Sequence, residues 1–278
     1  MERQLKVKKV AVPAGTAAFA VPAILDTHEV SFHAIDCVNW PEEYPYKPEV
    51  EFRCAHNGSE LFLEFRVNER AAMAVTGEDQ GPVWEDSCVE FFAAFPGQDA
   101  EPAKREYYNF ECNCIGKLLL KHGISGERSN APESVIKAVR RWTSLGSEPF
   151  AERGPVHWNL VEIIPIEAFY KDQPQKFDGL EMYANFYKCG DKLSVPHFLS
   201  WAPIDFPRPN FHLSAFFGKL IFGCAALLAL LTGCSKNPEN LIETYPNRQI
   251  NGQALSDWSF SRDGQSWEEV TTPHSYNA

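Results

Sequence analysis

Short runs in which apolar and polar side chains alternate recur along the chain between residues 49 and 222. In residues 60–67, leucine, phenylalanine or valine fills every second position after the first. A period of two places alternate side chains on opposite faces of a β-strand. The tetrapeptide HNGS at 56–59, just before this run, is typical of a hairpin turn. The pattern therefore predicts β-strands joined by tight turns.

The same pattern predicts further strands, separated by turns rich in glycine and proline, at 50–54, 88–95, 107–114, 115–121, 134–143, 156–165, 180–187 and 218–222. Only residues 166–171, which follow a proline, favour a short helix. About ten short strands are typical of a sandwich or jelly roll. We therefore expect an all-β fold, an antiparallel and jelly-roll-like β-sandwich in residues 1–222, followed by a tail that is poorly structured or partly helical.

Two of the predicted strands carry acidic or amide side chains among apolar neighbours. Glu90 shares one face of the strand at 88–95 with apolar residues, and Asn109, Glu111 and Asn113 form one face of the next strand. On pattern alone, Glu90 is interpreted as a buried partner of an arginine. The row on the second strand is more uniform than a solvated strand face requires.

Net charge narrows the choice of partner. The formal charge is −11 at pH 7 and the pI is about 5.2, and the sequence shows no clustered basic face. A nucleic-acid partner is therefore not expected. Pro13, Gly15 and Pro22 interrupt any apolar N-terminal helix of the signal-peptide type. The expectation is a cytoplasmic location for residues 1–222.

Four of the eight cysteines, Cys88, Cys112, Cys114 and Cys189, fall inside predicted strands. A buried cysteine often acts as a small apolar residue, so free thiols in a reducing compartment are expected. Zinc binding is the alternative. Cys112 and Cys114 share a strand face but lack the C-x-x-C turn of common zinc sites, which disfavours it.

The chain changes character after Phe222. Residues 223–231 are almost wholly alanine and leucine, and LTGCS follows at 231–235, with Lys219 before the run. This order resembles a bacterial lipoprotein signal with its lipobox, and the apolar run is too short for a relaxed membrane span. A membrane partner is expected only if the segment around Cys234 is processed separately. The alternative is a C-terminal core helix at 223–231.

Residues 237–278 carry DWSF at 257–260, then Trp267 and the pair Pro273-His274. They resemble the start of the sugar-binding domain of family 2 glycoside hydrolases, which are β-galactosidase-like. The interpretation is a complete gene product joined to the first part of a lipoprotein enzyme. A catalytic barrel would need about 250 residues more, so the chain is not expected to be an enzyme.

The segments VWEDSCVEFF at 83–92, NFYKCGD at 185–191 and SWAP at 200–203 resemble the signature strands of carbohydrate-binding module family 9. Related domains are common in gut Bacteroidetes. The resemblance spans nearly all of residues 1–222. It implies a non-catalytic sandwich that binds an oligo- or polysaccharide in glycan utilisation.

In that family two tryptophans clamp a sugar ring, and a glutamate accepts hydrogen bonds from its hydroxyls. The resemblance assigns the clamp to Trp84 and Trp201 and the carboxylate to Glu90, with Asn109 and Glu111 on the neighbouring strand. Indole faces suit the apolar C–H faces of a pyranose. An arginine often contributes in the family, but none falls on the strand at 107–114. The alternative for either tryptophan is a core position.

Two other function classes stay open. Glu90 with Glu111 or Asp86 could form the carboxylate pair of a glycosidase, and a purely structural or protein-interaction sandwich is the third possibility. His197 and His212 are interpreted as loop or core residues. No cofactor is certain. The resemblance allows a structural calcium ion, but no D-x-D-x-D-G loop occurs to place it.

Overall fold

The computed structural model describes residues 3–97 and 101–224, together with the backbone of two short strands at 257–260 and 268–271. The chain divides into two compact units, Met1–Leu227 and Leu228–Ala278. The predicted lipobox around Cys234 and the tail residues Trp267 and His274 lie outside the described residues. The predictions about them, and the predicted domain limits, stay predictions.

Strands are the main secondary structure of the first unit, and two short α-helices accompany them. The strands are β1 Gln4–Lys9, β2 His33–Ala34, β3 Cys37–Val38, β4 Glu49–His56, β5 Glu60–Glu69, β6 Ala72–Ala74, β7 Cys88–Ala94, β8 Tyr107–Asn113, β9 Leu118–Ile124, β10 Glu127–Asn130, β11 Arg140–Thr143, β12 Phe150–Arg153, β13 Val156–Pro165, β14 Glu181–Cys189, β15 Phe198–Ser200 and β16 Gly218–Phe222. The helices are α1 Val21–Thr27 and α2 Glu133–Ala138. In the second unit, β17 Asp257–Phe260 pairs antiparallel with β18 Glu268–Thr271.

The strands form a sandwich whose two halves share β1. The order is β10-β9-β8-β7-β14-β16-β1-β4-β5-β13-β11. The first half of β1 pairs parallel with β16, and its last two residues, Lys8 and Lys9, pair parallel with β4. We call β10 to β16 in this order sheet A and β4 to β11 sheet B. The ladders within each sheet are antiparallel, which confirms the predicted all-β sandwich.

Aromatic rings fill the space between the two sheets. Phe186 of β14 stacks on Phe52 of β4, with ring centroids 3.7 Å apart, and on Phe91 of β7 at 5.1 Å. Burying each such side chain contributes about 1.5–3 kcal/mol. Val89, Phe91 and Ala93 lie together in this core, as the alternation predicts.

A second aromatic layer covers the opposite, outer face of sheet A. Phe92 of β7 packs there against Tyr107 and Tyr187, with ring centroids 5.6 and 4.9 Å away. Phe211, from the segment between β15 and β16, stacks on Tyr187 at 4.2 Å. Sheet A is therefore buried on both faces here, and the edge of this layer positions the candidate site.

The predicted strand at 134–143 is wrong in its first half, where the chain forms α2 before β11. Helix α2 follows Pro132, which suits a helix start, and its Glu133 and Lys137 form an i,i+4 ion pair. Ile136 turns one face of this helix into the core. The helix predicted at 166–171 is a single 3-10 turn, Ile166–Ala168.

The pattern missed β10, a short edge strand that pairs with β9. Its sequence, ERSN, has no apolar alternation, because the edge strand buries none of its side chains fully. The described cysteines are free thiols, as predicted. No helix in the described part of the chain is long and apolar enough to span a membrane.

Candidate functional site

A pocket of about 400 Å³ opens on the outer face of sheet A, beside the second aromatic layer. Its volume lies in the range of small-ligand sites. Acidic, basic and aromatic side chains meet in it, from strands β7 to β10, β14 and β15 and from three connecting segments. The lining residues are Trp84, Glu90, Glu111, Leu119, Lys121, Arg128, Cys189, Asp191, Phe198, Pro209, Asn210, Phe211 and His212.

Two buried carboxyl groups lie side by side in this pocket. Glu90 of β7 stands directly opposite Glu111 of β8 in the ladder, and each is 3% exposed. Burial, and then the charge of Glu111, raise the pKa of Glu90 well above its usual range. Burial raises the pKa of Glu111 to about 7. The two groups therefore resist being ionised together.

Asn109, predicted to contact ligand, lies one layer deeper than the pocket wall. It is fully buried, and its Nδ2 donates to Oε1 of Glu111 at 2.7 Å. This hydrogen bond fixes the orientation of the Glu111 carboxyl group and lowers its pKa, against the effect of burial. Asn109 is therefore a positioning residue for Glu111.

Arg128 supplies the positive charge that the sequence analysis did not find. It comes from β10, two strands from Glu111, and its charge lowers the pKa values of Glu90 and Glu111. Its Nε is buried and has no hydrogen-bond partner in the described part of the chain. A buried donor without an acceptor costs about 1–3 kcal/mol, so this atom is suited to a ligand acceptor.

Trp84 forms an aromatic part of the pocket wall. It lies in the 3-10 turn Val83–Glu85 and is half-buried. The backbone of the turn is held from β14, because the carbonyl oxygen of Trp84 accepts from the Asp191 N–H at 3.4 Å. Phe198 and Phe211 add two more aromatic rings to the lining.

Trp201 lies elsewhere. It is 3% exposed and packs edge-on in the core between the sheets, 5.8 Å from Phe186 and 6.1 Å from Phe52. A Cβ atom added to Gly218 would come within 2.7 Å of the indole, so the ring is tightly enclosed. The predicted clamp is therefore corrected: the chain turns Trp201 inward just after β15, and Trp84 and Trp201 do not face each other.

The two histidines have different surroundings. His197 is a core residue, as predicted, and its Nε2 lies 2.8 Å from Nζ of Lys188, which pairs with the buried Glu69 at 2.9 Å. His212, by contrast, lines the pocket and stacks on Phe92 at 5.1 Å. Burial, and then the charge of Arg128, lower its pKa to about 3, so it is neutral at pH 7.

Asp86 does not take part in the pocket. It is fully buried, and its carboxylate accepts from the backbone N–H groups of Val75 and Thr76 at 2.9 and 3.0 Å. The Nδ2 of Asn113 donates to it at 2.9 Å. Asp86 therefore anchors the chain before β7 and is not placed to form a glycosidase pair with Glu90.

A larger hollow of about 690 Å³ lies on sheet B, but its carboxylates, on Asp36, Glu49 and Glu51, are not buried, and two of its polar side chains pair with neighbours. Asn68 donates to Glu49 at 3.0 Å, and Arg66 donates to Glu64 at 3.0 Å. The pocket on sheet A instead brings an unsatisfied buried donor to a pair of buried carboxyl groups. We therefore take the pocket on sheet A as the candidate site.

No cluster of acidic side chains in the described residues places the calcium ion that the family resemblance allows. Within residues 3–97 and 101–224, the group of three or more histidine, cysteine or acidic side chains close enough to share a cation is Cys88, Glu90 and Cys189. Two of these ligands are sulfur atoms, whereas Ca²⁺ takes oxygen ligands. This group does not fit calcium.

Comparison with known proteins adds an independent finding. The model of the family described as carbohydrate-binding family 9 matches residues 19–222. The crystal structure of a candidate carbohydrate-binding protein from Bacteroides uniformis is 50% identical, with a TM-score of 0.75, over 80% of this chain and 100% of that one. No curated protein matches the chain.

A more distant structure shows likeness of fold alone. A carbohydrate-binding module of family 9 from Caldicellulosiruptor kristjanssonii, in complex with cellotriose, is 11% identical with a TM-score of 0.52. It covers 85% of this chain and 100% of that one. Its complex with glucose gives 10% identity and a TM-score of 0.49, over 80% of this chain and 96% of that one.

Proposed function

Because this chain belongs to carbohydrate-binding family 9, we propose that the pocket on sheet A binds one sugar ring without catalysis. The observation that carries the proposal is the convergence of Glu90, Glu111 and Arg128 on one concave surface beside Trp84. A pyranose has hydroxyl groups that both donate and accept hydrogen bonds around an apolar ring. The pocket offers a partner for each of these properties.

Each side chain has a role that follows from its chemistry. The carboxyl groups of Glu90 and Glu111 accept hydrogen bonds from sugar hydroxyls, and the N–H groups of Arg128 donate to hydroxyl oxygens. The indole of Trp84 covers an apolar face of the ring. In place of a second tryptophan, Phe198 and Phe211 exclude water from the other parts of the site.

The sugar proposed is a glucose-type ring, at the end of an oligo- or polysaccharide. Two family members of known structure are in complex with glucose and with cellotriose. A small site gains little contact area, and association costs translational freedom, so we expect a Kd on the order of micromolar to millimolar. Glycan utilisation is the role proposed for such a module.

Replacing Trp84 by alanine tests the proposal. The variant should bind glucose or cellotriose at least about 10-fold more weakly in calorimetric titration, because a lost aromatic face costs about 1.4 kcal/mol or more. Trp142→Ala is the matched control, since Trp142 is also half-buried but lies on β11 of sheet B. Unchanged affinity in Trp84→Ala, or equal loss in both variants, would contradict the proposal.

The proposals for the rest of the chain concern residues beyond 224. Residues 223–236 are proposed to be a lipoprotein-type signal, and 237–278 the start of a family 2 hydrolase sugar-binding domain. Residues 1–222 are proposed to be cytoplasmic. Since a lipoprotein signal is processed only at an N-terminus, Cys234 should stay unmodified in this chain. Detection of a lipid on Cys234 by mass spectrometry would contradict that expectation.

A further inference from the structure

Two thiols and a carboxyl group converge at the inner end of the sugar pocket. Cys88 of β7 and Cys189 of β14 stand directly opposite each other in the ladder. Glu90 lies two residues after Cys88 and therefore shares its strand face. The two sulfur atoms and a Glu90 oxygen all lie within 4.8 Å of one another. Each of the three residues is 3% exposed or less.

The thiol of Cys189 is the centre of this group. Its Sγ lies 3.1 Å from Oε1 of Glu90 and 3.6 Å from the carbonyl oxygen of Trp84. Asp191, two residues further along the chain, also lines the pocket. One S–H proton faces the Glu90 and Trp84 oxygens, so it cannot satisfy both at once. A cation could contact the sulfur and the Glu90 carboxylate together.

We propose that Cys88, Cys189 and Glu90 form a Zn²⁺ site whose fourth position is filled by solvent. Thiolate and carboxylate are ordinary zinc ligands, and a tetrahedral site with bonds of about 2.0–2.3 Å separates its ligand atoms by roughly 3.5–3.8 Å. The three converging atoms already lie within about 1 Å of that spacing. Rotation of side chains on a fixed pair of strands closes the remainder.

Zinc binding would change the protonation of this site. Burial raises the pKa of Cys88 to about 12, and the pKa of Cys189 also lies well above its usual range, through its hydrogen bond with Cys88 and through burial. The free site therefore holds neutral thiols. On binding, Zn²⁺ displaces the proton of each thiol and any proton on Glu90, forms two Zn–S bonds and one Zn–O bond, and the protons pass to solvent. Its two positive charges then balance the two thiolates, and the Glu90 carboxylate leaves the site with one net negative charge.

The zinc site and the sugar pocket share Glu90. A metal bound to one oxygen would keep this carboxyl group ionised, and so able to accept from a sugar hydroxyl with its other oxygen. The zinc proposal does not depend on the sugar proposal, because the ligand positions follow from the register of β7 and β14. Metal binding can therefore be measured without any sugar.

Titration of the full chain with Co²⁺ tests the site. Co²⁺ occupies zinc sites and reports thiolate ligands through a charge-transfer band in the near ultraviolet. The chain is reduced, stripped with chelator and titrated, and Zn²⁺ is then added in competition. We expect a saturable band that Zn²⁺ abolishes. Cys189→Ser and Cys88→Ser should each lower the affinity at least about 100-fold, more than changes around a metal's ligands usually do.

Cys112→Ser is the matched control, because Cys112 is an equally buried thiol on the other face of sheet A. It should keep the band at its wild-type intensity. Absence of a thiolate band in the wild-type chain, or a band that forms in Cys189→Ser with wild-type affinity, would overturn the proposal. If the serine variants fail to fold, zinc X-ray absorption of the wild-type chain decides: two sulfur neighbours at about 2.3 Å support the site, and a shell of light atoms alone contradicts it.

Discussion

Replacing Trp201 by alanine is expected to lower the free energy of unfolding by about 3–5 kcal/mol, the usual cost of emptying a buried tryptophan site. The ring is packed against Phe52 and Phe186 between the sheets, and Gly218 leaves no room for it to move. Urea denaturation of the wild type and of Trp201→Ala measures this difference in the free energy of unfolding. Both curves are fitted with the same dependence of that free energy on urea concentration.

Trp84→Ala serves as the comparison that separates a loss of stability from a loss of sugar binding. Trp84→Ala should cost far less stability, because Trp84 is half-buried, and should weaken sugar binding instead. Binding of sugar by folded Trp201→Ala, measured at low temperature, should stay within a few-fold of wild type. If Trp201→Ala were as stable as wild type but bound no sugar, Trp201 would contact the sugar, and the structure would be contradicted.

Glu111→Gln is expected to stabilise the fold while weakening sugar binding. Burial raises the pKa of Glu111 to about 7, against about 4.5 in an unfolded chain. The folded state therefore holds this proton more tightly. The resulting stability is fully present below about pH 4.5 and is lost as the pH rises to about 7. A shift of roughly 2.5 pH units corresponds to about 3 kcal/mol.

The measurement is the difference between variant and wild type at two pH values. The glutamine side chain of Glu111→Gln does not titrate, so the stability gained over wild type should be larger at pH 8 than at pH 5, by about 2.5 kcal/mol. The wild-type profile alone is less informative. The pKa values of His197 and His212 are lowered to about 2 and 3, so these groups add stability as the pH rises through about 6.5.

Glu162→Gln provides the control for this prediction. Burial also raises the pKa of Glu162 to about 7, but Glu162 lies on β13 of sheet B, outside the pocket. It should show the same dependence on pH and leave sugar affinity unchanged. Equal stability differences at pH 5 and pH 8 for Glu111→Gln would show that Glu111 is ionised in the fold as readily as in water.

The alternation of side chains was sufficient to predict much of the fold, because a period of two is a local property of a strand. It placed Phe91 and Glu90 on opposite faces of one strand, and the structure confirms this: Phe91 lies in the core between the sheets and Glu90 lines the pocket. The position of Glu111 opposite Glu90 depends on the register between β7 and β8. That register is set by the connection between the two strands and by their packing. The sequence pattern of one strand does not determine it.

The positions of two residues could not be predicted from the alternation of side chains. Trp201 lies just beyond β15, so the alternation no longer fixes its direction, and packing between the sheets turns it inward. Arg128 lies on a short polar edge strand that has no period to recognise. The first half of 134–143 has β-branched residues typical of strands, but tertiary packing of Ile136 selects the helix.

A crystal structure of the wild-type chain with bound glucose or cellotriose tests the central claim most directly. The account predicts one sugar ring in the pocket on sheet A, with an apolar face on Trp84 and hydroxyl groups in hydrogen bonds to Glu90, Glu111 and Arg128. Trp201 should keep its place between Phe52 and Phe186. A ring bound in the hollow on sheet B, or one stacked on an exposed Trp201, would contradict the account.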